Sequence, residues 1–152
     1  MTLQEFESKV RVLRDVEEIK RLQREYLYMM TDARYDELAP FFAEDATVQI
    51  GENRVIKGKE AIIKLFKEDT VMTGGHKGGH NLIHPVISVE GDKAQGYWTV
   101  FCFYYDNSEP AKPRLKWQEG KYECDYIKKA GKWQLSYLKY TVPWPVQPED
   151  RA

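Results

Sequence analysis

Apolar residues recur at steps of three and four between Phe6 and about Met30, at Val12, Val16, Ile19, Leu22, Tyr26, Met29 and Met30, with charges between them. That period predicts an amphipathic helix. Within it, Asp15 followed three residues later by Glu18 predicts the cap of a second helical segment. Asp36, Glu37, Leu38, Phe41 and Phe42 keep the helical period over Tyr35 to Phe42, and Pro40 restricts that helix to a short one. From Ala46 to Ile50 the pattern alternates, Gly51-Glu52-Asn53 supplies a turn, and Arg54 to Lys57 returns as the second strand of a hairpin. Gly58 then opens a helix over Lys59 to Lys67, with Ala61, Ile62, Leu65 and Phe66 on one face.

Beyond the glycine-rich stretch from Thr73 to Gly79, the chain reads as strands: His80 to Val89, Lys93 to Tyr105, Leu115 to Lys128 and Trp133 to Val142. Each is rich in aromatic and β-branched residues and bounded by turn signals. Helices followed by a meander predict an α+β fold, one domain over residues 1–152 with 143–152 as an extended tail. Long strands beside one amphipathic helix bury their apolar face by curling around it, so a curved, mainly antiparallel sheet is expected to enclose a cavity for a small, largely apolar molecule. Trp98, Val100, Cys102 and Tyr104 alternate with Tyr97, Thr99, Phe101, Phe103 and Tyr105. A strand apolar on both faces calls for cover on both, and a homo-oligomer, dimer or trimer, assembled through the sheet supplies it.

Composition narrows the function classes. Among 152 residues, 23 Lys and Arg face 24 Asp and Glu, so no net field draws the chain to nucleic acid or to an anionic membrane. The two cysteines, Cys102 and Cys124, lie within strand-like runs and read as reduced core residues. The charged N-terminus has no apolar leader-like run, and no stretch approaches the ~20 apolar residues of a bilayer span; a cytoplasmic protein is expected. No phosphate-cradling, dinucleotide or nucleophile-elbow motif is present, so no cofactor is expected; the Gly-Gly-His-Lys-Gly-Gly stretch reads as an entrance loop or a connector.

Several stretches carry a resemblance: Asp15 to Leu22 through Tyr26, Tyr35 to Leu38 running into Phe42 to Ala46, His80 through His84 to Ala94, and Gly120 to Tyr122 with Gly131 to Trp133. Over nearly the whole chain the sequence resembles the SnoaL-like branch of the NTF2-like superfamily, which includes polyketide cyclases, scytalone and bile-acid dehydratases and a dehydrochlorinase. The resemblance implies an NTF2-like cone and a pocket base formed by a His on the first long strand with an Asp near the end of the first helix. His80 falls at the histidine position. The aspartate position, five residues after Tyr26, holds Thr31, with Asp32 next.

The residues themselves admit chemistry of that kind. On a regular strand His80, Leu82, His84 and Val86 share one face; His80 and His84 are then roughly 13 Å apart, too far for one metal ion. His76 and His80 are separated by glycines, so no metal site is expected. His80 is the candidate general base, able to take a proton beside a carbonyl and return it to a leaving hydroxyl. Tyr26, on the inward stripe, is the candidate donor to the developing oxyanion, and Asp32 or Thr31 the group that orients the imidazole. His84, Trp98, Tyr104, Tyr122 and Met30 are the expected substrate-lining residues. Together they describe a cofactor-independent lyase, a dehydratase or other elimination catalyst acting on a small hydrophobic cyclic or polyketide-like substrate; a ketosteroid-isomerase-type isomerase or a cyclase would use the same parts, and a non-catalytic small-molecule-binding or dimerisation domain would keep only the cone.

Overall fold

A computed structural model describes residues 1–72, 79–106 and 114–143; the side chains of 69–72 and 104–106 are outside that description. Residues 73–78, which hold all but the last glycine of the Gly-Gly-His-Lys-Gly-Gly stretch and include His76, and the tail beyond Pro143 therefore lie outside the described residues. Helix α1 covers Leu3–Thr31, followed by two 3-10 turns, Tyr35–Glu37 and Ala39–Phe41. Strands β1 (Phe42–Ile50) and β2 (Arg54–Lys57) precede helix α2 (Lys59–Met72). Strands β3 (Gly79–Glu90), β4 (Lys93–Asp106), β5 (Arg114–Lys129) and β6 (Lys132–Thr141) complete one sheet in the order β2-β1-β6-β5-β4-β3. Every pairing is antiparallel except β1 with β6. The α+β class and the mainly antiparallel sheet follow the sequence pattern.

Three expectations about elements change. The helix predicted over Tyr35 to Phe42 is two 3-10 turns, the second holding Pro40, whose missing N–H and fixed φ suit a short turn rather than a continuing helix. Asp15 does not cap a second segment: α1 runs through it unbroken, and Thr2 caps the helix in a capping box with Glu5. The third change is in β3. The strand is irregular between Ile83 and Val86, where His84 adopts φ 53° and Pro85 brings no N–H to the ladder. The bulge shifts the alternation by one residue. Leu82 packs against the core before it, Ile87 and Val89 after it, and His84 and Val86 are exposed.

The concave face of the sheet is closed by α1 and α2. Ile19, Leu22, Tyr26 and Leu27 of α1 and Ile62 of α2 bury against Phe42, Val48, Val100, Leu135 and Leu138. Tyr26 packs edge-on to Phe42 at 5.7 Å between ring centroids. Large side chains fill the middle of the cone. Trp98 donates from Nε1 to the Tyr126 hydroxyl (3.0 Å), which donates to Gln23 Oε1 (3.0 Å). Among the described residues the centre of the concave face is thus packed with the protein's own aromatic residues, and the half-open cleft beside His80 lies toward the end of α1.

Asp15 is 3% exposed, and its Oδ1 accepts from Lys128 Nζ (2.5 Å) and Trp133 Nε1 (3.2 Å), with Lys128 also over the Trp133 ring. Burial pushes its carboxyl up, but the bonds from Lys128 and Trp133 and the Lys128 and Arg14 charges outweigh that and hold it below the usual range. A folded-state value below the unfolded one, near 3.9, means stability that is complete above the unfolded value and lost as pH falls through the folded one. Asp15→Ala strands a buried ammonium and is expected to cost about 3 kcal/mol in urea unfolding at neutral pH. The pairing with Lys128 is refuted if Asp15→Ala/Lys128→Met is no more stable than Asp15→Ala.

Candidate functional site

The open end of the cone is built around the last turn of α1. The helix ends at Thr31, with Asp32 as C-cap and Ala33 at φ 56° turning the chain away. Thr31 Oγ1 accepts the backbone N–H of His80 at 3.4 Å and lies 3.2 Å from its Nδ1. Strand β3 is an edge strand, so that N–H points away from the sheet, and Thr31 satisfies it. Asp32 is exposed and makes no contact with His80 among the described residues. Of the two candidates, Thr31 is the one brought to the imidazole.

A hydroxyl is a different partner from a carboxylate. It can accept from Nδ1–H or donate to bare Nδ1, so either neutral tautomer of His80 can be held. It offers no charge to stabilise an imidazolium. Burial accordingly pushes the His80 pKa below its ordinary value, with no opposing charge to restore it. Nε2 has no partner among the described residues and remains for a ligand.

Cross-strand register extends the site. His80 pairs with Cys102 and Cys102 with Gln118, so these three form one row on the concave face. Tyr140 Oη lies 3.3 Å from Gln118 Oε1 and within hydrogen-bonding reach of the Cys102 sulfur. Its ring packs on Tyr122 at 5.5 Å and crosses over Gly120, where an added Cβ would fall 2.1 Å from the ring. Gly120 is therefore the space that Tyr140 occupies. Cys102, Gln118 and Tyr140 carry no sequence signal that singles them out; only the register and the missing Gly120 side chain bring them beside His80.

The other expected residues fall elsewhere. Tyr26 is 1% exposed, its hydroxyl bonded to Tyr122, and burial pushes it far above its usual range. Tyr122 and Trp98 are buried beneath the polar row, while Met30 is half-buried against the core. The side chain of Tyr104 lies outside the described residues. His84 is exposed beyond the bulge. Beside the row, a half-open cleft of about 460 Å³ follows the seam of α1 and β3, lined by Arg24, Tyr28, Thr31, His80 and Asn81 with Leu27 and Leu82. It is more polar than a pocket for a largely apolar molecule. Among the described residues no group of three His, Cys, Asp or Glu side chains could hold a metal ion.

The family model described as a SnoaL-like domain matches residues 11–139. The chain belongs to the SnoaL-like family. This SnoaL-like domain also shares its fold with solved structures. One is an NTF2-like protein with a cystatin-like fold from Novosphingobium aromaticivorans (18% identity, 99% of this chain and 95% of that one, TM-score 0.76). A second protein from that organism, named as a candidate scytalone dehydratase, matches with 20% identity over 89% of this chain and 91% of its own (TM-score 0.75). A variant of Rv3472 from Mycobacterium tuberculosis, of unknown function, matches with 20% identity over 88% and 75% (TM-score 0.74). No curated protein matches the chain. No helix of this domain is long and apolar enough to cross a membrane among the described residues.

The Thr31 contact makes a titration prediction. In the wild type, His80 should titrate below 6.5 by proton NMR, and folding stability should be lost as pH falls from the unfolded-state value through that lower folded one, because the unfolded chain there binds the extra proton. Thr31→Asp places a carboxylate on Nδ1 and is expected to raise the His80 midpoint by about 1–2 pH units. An unchanged midpoint would mean that residue 31 does not govern the imidazole.

Proposed function

We propose that this SnoaL-like domain is a cofactor-independent lyase that removes water, or another small leaving group, from a small cyclic or polyketide-like molecule at the open end of the cone. The observation that carries the reading is His80: held at Nδ1 by Thr31, neutral, and without a partner at Nε2 among the described residues, beside a row of polar side chains. Nε2 takes a proton from carbon next to a carbonyl; the electron pair passes through the enolate to form the carbon–carbon double bond as hydroxide leaves; the proton on Nε2 joins that hydroxide, and water departs. The imidazole ends neutral. Tyr140, rather than the buried Tyr26, is the hydroxyl that would donate to the enolate oxygen, its proton turning from Gln118 Oε1 to the substrate. A low-pKa base with no carboxylate behind it removes only an acidified proton, so the substrate's C–H must lie between or beside activating groups.

A binding role is the second reading, favoured by the aromatic filling of the cone and by Thr31 standing where a carboxylate would stabilise the imidazolium. The two separate in a panel of hydroxylated cyclic ketones followed by ultraviolet absorbance and by His80 NMR shifts. The lyase reading expects His80→Gln to lower turnover by about 10²–10⁴-fold and Tyr140→Phe by less, with a rate that rises with pH through the depressed His80 value and then levels. Ligands that shift His80 without reacting support binding alone.

The proposal includes a second copy over the outer face of the sheet, where Tyr97, Phe103 and Trp117 are exposed and Trp117 packs on Phe101 at 6.1 Å. Glu119, Lys121 and Glu123 alternate in sign along the same face of β5, a surface that can meet its own copy. Trp117→Ser should lower the mass of the assembly in sedimentation; an unchanged mass would place the contact elsewhere.

A further inference from the structure

The first half of α1 has no function in the domain's own core. Every residue from Leu3 to Arg14 is exposed, so about 18 Å of helix projects from the body before Asp15 becomes the first buried position. The projecting arm is nonetheless amphipathic. Leu3, Phe6, Val10 and Leu13 follow at steps of three, four and three, and they are 74%, 51%, 47% and 66% exposed. At about 100° per residue, this stripe points roughly half a turn away from Ile19, Leu22 and Tyr26, the residues by which the same helix packs on its sheet. The arm's stripe therefore faces away from its own domain, and a straight helix cannot bring it back. The family match begins at residue 11, so most of the arm precedes the shared domain.

An isolated helical extension of this length is marginal in water, and four apolar side chains in one row add to the cost of leaving it uncovered. The spacing is that of a coiled-coil seam, and the arm's side chains already form a hollow of about 280 Å³ between Phe6, Glu7, Val10, Arg11 and Arg14. The charges select the occupant. Glu5 and Glu7 stand in the first half of the arm and Lys9, Arg11 and Arg14 in the second. Among the described residues Glu7 and Arg11 belong to no ion pair, and the one ion pair of Arg14 is an exposed contact with Glu18 at 3.6 Å, beside its weaker influence on the Asp15 carboxyl. Two copies of the arm laid antiparallel put the acidic half of each against the basic half of the other. A parallel pair would stack like on like.

We propose that residues 3–14 are a self-association element: the Leu3, Phe6, Val10 and Leu13 stripe of one copy packs antiparallel on the same stripe of a second copy. The inference is independent of the reaction assigned to His80 and of the contact assigned to the sheet. A seam of four residues per copy covers well under the roughly 800 Å² per partner of a standard interface, so the contact is weak by itself and its occupancy depends on concentration and on salt.

Sedimentation velocity of the full chain over a wide concentration range tests it, with Phe6→Asp/Leu13→Asp as the arm variant and Trp117→Ser as the sheet variant. The arm projects from the folded body, so circular dichroism should show the arm variant folded. The expected result is a concentration-dependent association step that the arm variant loses, Trp117→Ser retains, and added salt weakens. A charge pair tests the contact without touching the stripe. Glu7→Arg alone, and Arg11→Glu/Arg14→Glu alone, should each weaken the step by about 10-fold or more, and an equimolar mixture of the two should associate more tightly than either. The proposal is overturned if the arm variant sediments like the wild type at every concentration, or if mixing the charge variants restores nothing. It is equally overturned if the wild-type arm shows no self-association and binds phosphatidylserine-containing vesicles, which would make the stripe a membrane-surface helix.

Discussion

A strongly curved sheet leaves one apolar concavity that must be covered, and in this chain α1 carries most of that cover. Two polar contacts about 24 Å apart along the helix determine where it lies. At one end, the buried Asp15 meets Lys128 and Trp133 at the β5–β6 turn; at the other, Thr31 takes the outward N–H of the edge strand β3. Apolar packing between them is non-directional and would tolerate a helix shifted by a turn. A buried carboxylate whose ammonium partner is displaced, or an edge N–H left bare beneath a helix, would not. The register of α1 on the sheet thus rests on these two residues, and with it the position of His80 against Thr31.

The same contact governs what the site can do. Were residue 31 a carboxylate, His80 would be a stronger base held in one tautomer, as a His–Asp pair is. A hydroxyl gives up charge stabilisation and leaves both tautomers open. That combination suits a shuttle in which one nitrogen both takes and returns a proton, provided the substrate supplies its own acidity. It suits poorly the removal of an unactivated proton. In the proposed reaction the polar row of Cys102, Gln118 and Tyr140 then matters more, since stabilising the enolate oxygen is the remaining means of lowering the barrier.

Element order and most strand limits are legible in the sequence because period and turn chemistry are local: strands β3 to β6 begin and end within about two residues of the alternation that predicts them. The errors arise where a local pattern meets a non-local demand. Asp15 has the spacing of a cap, but its partners are over a hundred residues away on β5 and β6. His84 has the parity of an inward residue, and the bulge at Pro85 reverses it. Tyr26 lies on the inward stripe as read, yet inward here means the packed core, because Phe42, Phe66 and Tyr122 occupy the space a ligand would need. Gln118 and Tyr140 become visible only through register, and through the absence of a side chain at Gly120.

Both surfaces that the core leaves uncovered are apolar, yet they differ in kind. The outer face of the sheet is aromatic and belongs to the shared domain, as a two-faced strand such as β4 requires. The stripe of the arm is aliphatic apart from Phe6, largely outside the matched residues, and turned away from the described elements of its own chain. Covering the first completes a domain, whereas covering the second links one domain to another. A site at the open end of the cone sits at the far end of α1 from the arm, so association through residues 3–14 leaves His80 accessible. The helix that bears the proposed site at its C-terminus thus bears the proposed assembly element at its N-terminus, with the buried Asp15–Lys128 pair between the two.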